Sequence, residues 1–176
     1  LQASIGRGGV YRGARLSGFE SGDGAIASLG AQWAWSPQWT GAAAMMATDG
    51  RIVPNTSGLP QFQNNRTTAL LFAIRWQDPE DIVTLNFQAS ESESFASHDA
   101  AKAVGLWVDA RANRGLYTHR YGTFYLEPDL AWGAFPINND VMGAYYRLEY
   151  QRARWSWNTS LDRVTSISGN GFDGFY

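Results

Sequence analysis

Two histidines and one Ser-His-Asp run are the first places to look for chemistry in this sequence. His98 and His119 are well separated in the chain, and no third ligand lies at a useful spacing from either. They therefore do not predict a metal site, which needs at least three convergent protein ligands. Ser97, His98 and Asp99 are contiguous, whereas the members of a catalytic triad come from separate segments and meet in space. The run alone does not predict a catalytic nucleophile.

Glycine-rich and oxygen-rich segments are equally weak signals. The glycines at 6–9 lack the strand-to-helix context of a nucleotide-binding loop. The segments 22–24 and 138–140, together with Asp129, offer oxygen ligands for calcium, but they are better interpreted as solvated loop residues. The chain has no cysteine, which excludes disulfides, cysteine zinc sites and thiol nucleophiles. We predict no catalytic, cofactor-binding or metal-binding residue, no cofactor and no enzymatic activity.

The composition is low in charge and rich in aromatic residues. Charged residues make up 17 % of the 176 residues, against about 25 % in an average soluble domain. A net charge of −2 leaves no basic footprint for nucleic acid. Hydrophobic residues reach 44 %, yet the mean hydropathy is only −0.31. Apolar residues must therefore be dispersed by alternation instead of being concentrated in runs.

Apolar and polar residues alternate with a period of two along most of the chain, which is typical of β-strands. In 81–90, Val83, Leu85 and Phe87 alternate with Thr84 and Asn86. An all-β fold follows, although the small apolar residues at 42–47 are also compatible with a helix. We predict nine strands, at about 5–19, 25–35, 39–48, 69–76, 81–90, 104–111, 116–126, 144–151 and 155–162, and interpret 166–174 as a loop.

Short and long connections alternate along the chain. Short links are predicted at 36–38, 78–80, 113–115 and 152–154, and longer ones at 49–66, 91–102 and 127–140. An antiparallel up-and-down sheet with tight turns at one end and long loops at the other is the plan of an outer-membrane barrel. A Greek-key sandwich gives no reason for loops to be sorted by length in this way.

The physics of the bilayer favours the same plan. The uncharged run between Asp23 and Asp49 is long enough for a membrane-spanning helix, but its glycines and the turn at 36–38 argue against one. A ten-residue strand rises roughly 33 Å, and a tilt of about 40° projects this onto about 25 Å, the height of an outer-membrane apolar band. Backbone groups at that depth have no water to bind, so the sheet must close.

The chain resembles the transmembrane β-barrels of Gram-negative outer membranes, porin-like barrels included, in its alternation, sorted loops and tryptophan placement. The stretch 126–133 (LEPDLAWG), followed by 143–147 (GAYYR), is similar to barrel regions of proteins that export exopolysaccharide. The resemblance implies a location in the bacterial outer membrane, in contact with its lipid and lipopolysaccharide. Bacterial single-chain barrels have an even number of strands. We therefore expect residues 1–176 to form a single barrel domain or, with nine strands, part of a larger one.

Strand phase divides the candidate functional residues into two sets. Charge that faces lipid at mid-depth costs about 2–4 kcal/mol for arginine, so charged strand residues should face a wet interior. The predicted lumen-lining residues are Arg75, Thr84, Asn86, Gln88, Asp109, Arg111, Arg120, Arg147, Glu149, Asn158 and Asp162. The aromatic residues predicted at the membrane interface are Trp33, Trp35, Trp39, Trp76, Trp155 and Trp157. If they face inward, Tyr117, Tyr121, Tyr125 and Tyr145 would add stacking surfaces for sugars.

The resemblance implies passage of polar solutes, a polysaccharide among the candidates, with a periplasmic partner or domain. Asp109, Arg111, Arg147 and Glu149 would then set selectivity, whereas in a narrow barrel such charges would pair and fill the interior.

Two alternatives stay open. The first is a soluble β-sandwich that binds carbohydrate on Trp33, Trp35 and Trp107; unlike a barrel, it would stay in solution without detergent. The second is a lipid-processing barrel enzyme that uses Ser97 and His98.

Overall fold

All of the secondary structure is β in a computed structural model that describes residues 2–9, 23–51, 65–94, 100–131, 139–169 and 174–175. Ten strands follow one another in a single antiparallel sheet whose spatial order is the order of the chain. The strands are β1 (Gln2–Gly9), β2 (Asp23–Ala34), β3 (Trp39–Arg51), β4 (Asn65–Gln77), β5 (Asp81–Ser94), β6 (Ala100–Arg114), β7 (Tyr117–Leu126), β8 (Val141–Arg152), β9 (Trp155–Ser166) and β10 (Gly174–Phe175).

The period-two pattern predicted the strands well. Each of the nine predicted segments overlaps one observed strand, and most of the observed strands extend beyond the predicted bounds. The segment 42–47 lies inside β3, so a helix there is wrong. The predicted strand at 5–19 is described only as far as Gly9, and its remainder lies outside the described residues. A two-residue β10, Gly174–Phe175, also pairs with β9, and its first residue belongs to the segment 166–174 interpreted from the sequence as loop. Across the described residues, no helix has the length and apolar character needed to span a membrane.

The links are sorted by length, as predicted, between the two ends of the sheet. The four turns at 35–38, 78–80, 115–116 and 153–154 lie at one end, here called the short-turn end. The strand ends that the other links join lie at the opposite end, here called the long-loop end. The predicted long link at 91–102 is wrong in its extent, because β5 and β6 continue to pair as far as Glu93 and Ala100. Similarly, the third turn is 115–116 instead of 113–115, since β6 extends to Arg114.

The sheet has one polar and one apolar face, and the phase between them is unbroken from β2 to β9. Directly opposite residues of antiparallel strands lie on the same face. The register therefore shows which residues of neighbouring strands share a face. Thr84 lies opposite Arg75 and Asp109 on the polar face. Phe87 lies opposite Phe72 and Leu106 on the apolar face.

Burial differs sharply between the two faces. The large hydrophobic side chains that the strands expose all belong to the apolar face, and they are 37–57 % exposed. Most buried strand residues lie on the polar face, among them Thr67, Ala69 and Gln88. Side chains on the polar face therefore shelter one another, while those on the apolar face are spread apart. This is the packing expected of a sheet that curves toward its polar face.

The described sheet is open. In the parts of the chain that the structure describes, strand pairing runs from β1 to β10 without a ladder that joins the two ends. The all-β, antiparallel, up-and-down prediction is thus confirmed, whereas closure into a barrel is not shown.

Asp140 joins two segments at the long-loop end. It precedes β8 with a φ of 60°, a left-handed conformation that aspartate and asparagine tolerate better than most residues. Its Oδ2 accepts hydrogen bonds from the hydroxyls of Ser168 (2.7 Å) and Ser166 (2.9 Å). Its Oδ1 accepts one from the backbone N–H of Ser168 (2.8 Å). The side chain thereby ties the start of β8 to the end of β9.

These hydrogen bonds predict a pH-dependent loosening of this contact. The Ser168 hydroxyl and then its backbone N–H hold the pKa of Asp140 below its ordinary value of 3.8. A carboxyl group with a depressed folded-state pKa stabilises the fold above its unfolded-state pKa, and this contribution is lost as pH falls through the folded value. We expect the hydrogen-exchange protection of the Ser168 amide to fall below about pH 4. Asparagine tolerates the left-handed conformation, so Asp140→Asn should keep the backbone. In this variant the protection of the Ser168 amide should be lower than in the unsubstituted protein at neutral pH and should not change as the pH falls. An equal acid response in both proteins would contradict the role of the carboxylate.

Candidate functional site

The polar face gathers every residue predicted to line a lumen. The register places all of them in one phase, although they come from six different strands: Arg75, Thr84, Asn86, Gln88, Asp109, Arg111, Arg120, Arg147, Glu149, Asn158 and Asp162. Strand phase brings these side chains to one surface, and that surface is the candidate site. Whether it encloses a lumen stays a prediction.

A tyrosine that bridges three strands lies at the centre of this surface. Asp109 on β6, Gly122 on β7 and Tyr145 on β8 are directly opposite one another. The Tyr145 ring covers Gly122, where an added Cβ would lie 2.5 Å from the ring, and its hydroxyl donates to Asp109 Oδ1 at 2.6 Å. Because Gly122 has no side chain, Tyr145 can reach across β7 and hold the Asp109 carboxylate.

Three arginines occupy the next row toward the short-turn end. Arg111 lies opposite Arg120, and Arg120 lies opposite Arg147. Arg120 Nε is 3.5 Å from Glu149 Oε1, and the guanidinium of Arg147 lies over the Tyr145 ring, 5.4 Å from its centroid. We call these three residues the arginine row.

A groove opens beside the arginine row on the polar face. It has a volume of about 320 Å³. Its lining residues are Arg75, Ile82, Thr84, Asp109, Ala110, Arg111, Arg120 and Tyr145. The groove thus contains most of the polar-face charges near the middle of the sheet. It is open to solvent and offers guanidinium, hydroxyl and carboxylate groups to a polar ligand.

The long-loop end of the polar face is covered by part of the β7–β8 link. Gln88 donates its side-chain N–H to the carbonyl of Ala131 at 2.9 Å, and the Ala131 N–H donates to Ser90 Oγ at 3.0 Å. Leu130 is 2 % exposed and packs where Gly105 has no side chain. Gln88 is therefore buried and hydrogen-bonded to the β7–β8 link.

The predicted interface aromatics lie on the opposite surface or at its rim. Trp33, Trp39, Trp76, Trp155 and Trp157 share the phase of the apolar face. Trp35 lies in the turn after β2, in an edge-to-face contact with Trp33 at 5.7 Å between ring centroids. All six lie near the short-turn end, so they mark one rim of the apolar face.

Between its two rims the apolar face carries no Asp, Glu, Lys or Arg over a broad band in the described strands. The band includes the apolar-phase residues of 39–47, 68–76, 83–89, 104–112, 117–125, 142–150 and 155–161. In β4 it covers eight residue steps, from Thr68 to Trp76, or about 27 Å along the strand. We call this surface the apolar band.

Ion pairs border the apolar band at both ends. At the long-loop end, Arg66 pairs with Asp49 at 3.2 Å and Lys102 with Glu91 at 3.8 Å. At the short-turn end, Arg114 Nη1 lies 2.8 Å from Asp81 Oδ1. Arg163 also lies on the apolar face, on the long-loop side of the band in β9. Charge thus reappears on this face only beyond the apolar band.

Several other residues singled out from the sequence do not lie on the polar face or are outside the described residues. Tyr117, Tyr121 and Tyr125 lie on the apolar face, because their phase in β7 is opposite to that of Arg120; of the four tyrosines, only Tyr145 lies on the polar face. His119 is also on the apolar face, with its Nδ1 2.9 Å from the Tyr146 hydroxyl. Ser97, His98 and Asp99 lie outside the described residues, as do residues 22 and 138.

The alternative sugar-binding surface is divided between the two faces. Trp107 lies opposite Asn86 and Phe124 on the polar face, whereas Trp33 lies on the apolar face. These two tryptophans cannot form one platform. A sandwich also requires two packed sheets, and the described residues form one.

Sequence reasoning did not find the arginine row or the contact between Tyr145 and Asp109. The alternation of β8 already places Tyr145 in phase with Arg147 and Glu149, which is a usable signal. Contacts between strands additionally need the register, which alternation within one strand does not provide.

Comparisons with protein-family models, with curated proteins and with solved structures give no match. The function must therefore be argued from the two faces of the sheet.

Proposed function

We propose that this chain is all or part of an outer-membrane β-barrel that lets polar solutes, polysaccharide among the candidates, cross the membrane. The observation that carries the proposal is the apolar band, an exposed and uncharged surface bordered by ion pairs. Monomeric soluble proteins rarely expose continuous apolar patches larger than a few hundred Å². A surface that continues across seven neighbouring strands, β3 to β9, requires an apolar solvent, and the outer-membrane bilayer supplies one.

The dimensions of the apolar band support a bilayer. Its length of about 27 Å along β4 projects onto about 21 Å at a strand tilt of about 40°, close to the apolar height of about 25 Å in outer-membrane barrels. Tryptophans favour the level of the lipid headgroups, and six of them lie near the short-turn end, five on the apolar face and Trp35 in the adjacent turn. The outer leaflet would then bring lipopolysaccharide against the other rim.

Closure of the sheet is a further part of this proposal. Open sheet edges do not occur in the hydrocarbon region, because unpaired N–H and C=O groups there cost several kcal/mol each. The up-and-down order and the sheltered polar face both suit a sheet that closes around its polar side. Closure could come from further strands, from another chain or from β1 itself.

The polar face supplies the proposed path. Its Thr, Asn, Asp, Glu and Arg side chains would form a hydrated wall, and mixed charge on such a wall selects among ions and polar solutes. Asp109 is held by Tyr145 and Glu149 lies beside Arg120, so Arg111 and Arg147 remain the charges most available to a passing solute. A periplasmic partner or domain would complete the pathway.

Planar-bilayer recording tests the proposal. We expect purified protein to insert from detergent and to conduct, with ion selectivity that depends on polar-face charge. Arg147→Ala should shift the reversal potential under a salt gradient toward cation selectivity, because it removes a positive charge from the wall. Glu149→Ala should shift it toward anion selectivity for the opposite reason.

The matched control for these variants is Arg154→Ala in the short turn of β8 and β9, which should leave the selectivity nearly unchanged. Protein that stays monodisperse without detergent and never conducts would contradict the proposal. Equal ion selectivity in the unsubstituted protein and in all three variants would show that the conducted ions do not pass along the polar face.

A further inference from the structure

We propose that the arginine row of Arg111, Arg120 and Arg147 is a binding site for oxyanions. The ligand is a carboxylate or phosphate group carried by a hydrated solute. This inference rests on the proposed function, since it names the chemical class of solute that the polar face would recognise.

The register concentrates positive charge in this row. Neighbouring strands are about 4.8 Å apart, so three directly opposed arginines place three guanidinium groups within a short distance across the sheet. Like charges directly opposite one another destabilise a sheet. All three side chains are exposed, so their donors are accessible. An anion bound between them would offset the repulsion.

The neighbouring carboxylates do not neutralise the arginine row. Asp109 accepts a hydrogen bond from Tyr145, and Glu149 lies beside Arg120, the middle arginine. In the described parts of the chain, neither Arg111 nor Arg147 has a carboxylate within ion-pair distance. Two of the three guanidinium groups therefore keep their charge available for a ligand.

The chemistry around the arginine row suits an oxyanion. A guanidinium group presents a planar fork of N–H donors that matches carboxylate and phosphate oxygens. Arg111 uses its Nε to donate to Asn113 at 3.3 Å, which orients the guanidinium and leaves its other nitrogens for a ligand. Arg75 and Thr84 line the adjoining groove of about 320 Å³ with a further cation and a hydroxyl. The groove can hold the uncharged remainder of a small solute.

Thermal unfolding of the full chain in detergent tests this site, with galacturonate, phosphate and neutral galactose as probes at constant ionic strength. Binding to the folded state raises the unfolding midpoint as the ligand concentration rises. We expect galacturonate and phosphate to raise it and galactose to leave it unchanged. A rise with phosphate alone would restrict the site to phosphoryl groups, and a rise with galacturonate alone would restrict it to carboxylates.

Variants separate an anion site from a merely structural cluster. Arg111→Gln and Arg147→Gln should each raise the midpoint without ligand, because repulsion is relieved, and each should lose most of the response to oxyanions. Arg154→Gln, with the same change in charge, should keep the full response. Arg147→Lys keeps the positive charge but lacks the planar guanidinium donors, so oxyanions should raise its unfolding midpoint only slightly.

An equal response to galactose, or a full oxyanion response in both glutamine variants, would overturn the inference. Bilayer recording separates this failure from that of the proposed function. Conductance without an oxyanion response would contradict the oxyanion site and would still support passage of solutes. An oxyanion response that depends on Arg111 and Arg147, in protein that never conducts, would support the oxyanion site and would contradict passage of solutes.

Discussion

Replacement of Phe87 by arginine is expected to lower the free energy of unfolding in lipid vesicles by about 2–4 kcal/mol. Phe87 lies inside the apolar band, directly opposite Phe72 and Leu106, and it is 40 % exposed. If the apolar band faces lipid, an arginine at this depth must be desolvated or must draw water and headgroups inward. Urea-induced unfolding, followed by tryptophan fluorescence in vesicles, measures the difference.

The neighbouring residue provides the control for this prediction. Asn86 precedes Phe87 in β5 and lies on the polar face, between Ala73 and Trp107. Asn86→Arg makes a similar change one residue away and should cost much less, because the new charge stays hydrated. In a soluble protein, Phe87→Arg at an exposed position would usually change stability by no more than about 0.5 kcal/mol. Equal small effects of both substitutions would therefore contradict a lipid-facing apolar band.

The strands and their faces could be predicted because both depend on local pattern. Alternation in a strand such as β5 already assigns Thr84 and Phe87 to opposite faces. If one face meets lipid, as proposed, the cost of placing charge in lipid predicts that the charged residues lie on the other face. The same reasoning placed eleven dispersed polar residues on one surface.

One of the two pairings in the arginine row, Arg111 with Arg120, could also have been predicted from the sequence. Gly115 and Leu116 form a two-residue turn in which Gly115 has a φ of 64°, and glycine at the first position is typical of tight hairpins. Such a turn fixes the register of the strands that it joins. Counting back from it places Arg111 opposite Arg120.

The other pairing, Arg120 with Arg147, depends on the register of β7 and β8, which the local sequence pattern does not give. β7 and β8 are joined by the long link 127–140, and a link of this length does not determine a register. The pairing of Arg120 with Arg147, and the reach of Tyr145 over Gly122, therefore become visible only in three dimensions. The same is true of Leu130, since nothing in its local pattern indicates that it packs over Gly105.

Valine in place of Gly143 is expected to destabilise the folded chain by about 3 kcal/mol, the upper part of the range for overpacking. Gly143 lies opposite Phe124 and Val164. A Cβ at this position would overlap the carbonyl oxygen of Arg163 and would lie 2.8 Å from the Phe124 ring. The ring could rotate away, but the carbonyl belongs to the backbone of β9, so the strands themselves would have to separate. The high strand propensity of valine, worth at most about 1 kcal/mol, does not offset this cost.

Ala144→Val is the matched control for this substitution, because it also adds branched methyl groups at an adjacent position in β8. Ala144 is exposed on the apolar face, where added methyl groups meet lipid or solvent instead of backbone. We expect urea unfolding in vesicles to show a large decrease for Gly143→Val and a small change for Ala144→Val. If the two variants were equally stable, β8 and β9 could not approach as closely at Gly143 as the structure indicates. A loss confined to Gly143→Val would show that a missing side chain on β8 sets the spacing of these two strands beside the candidate site.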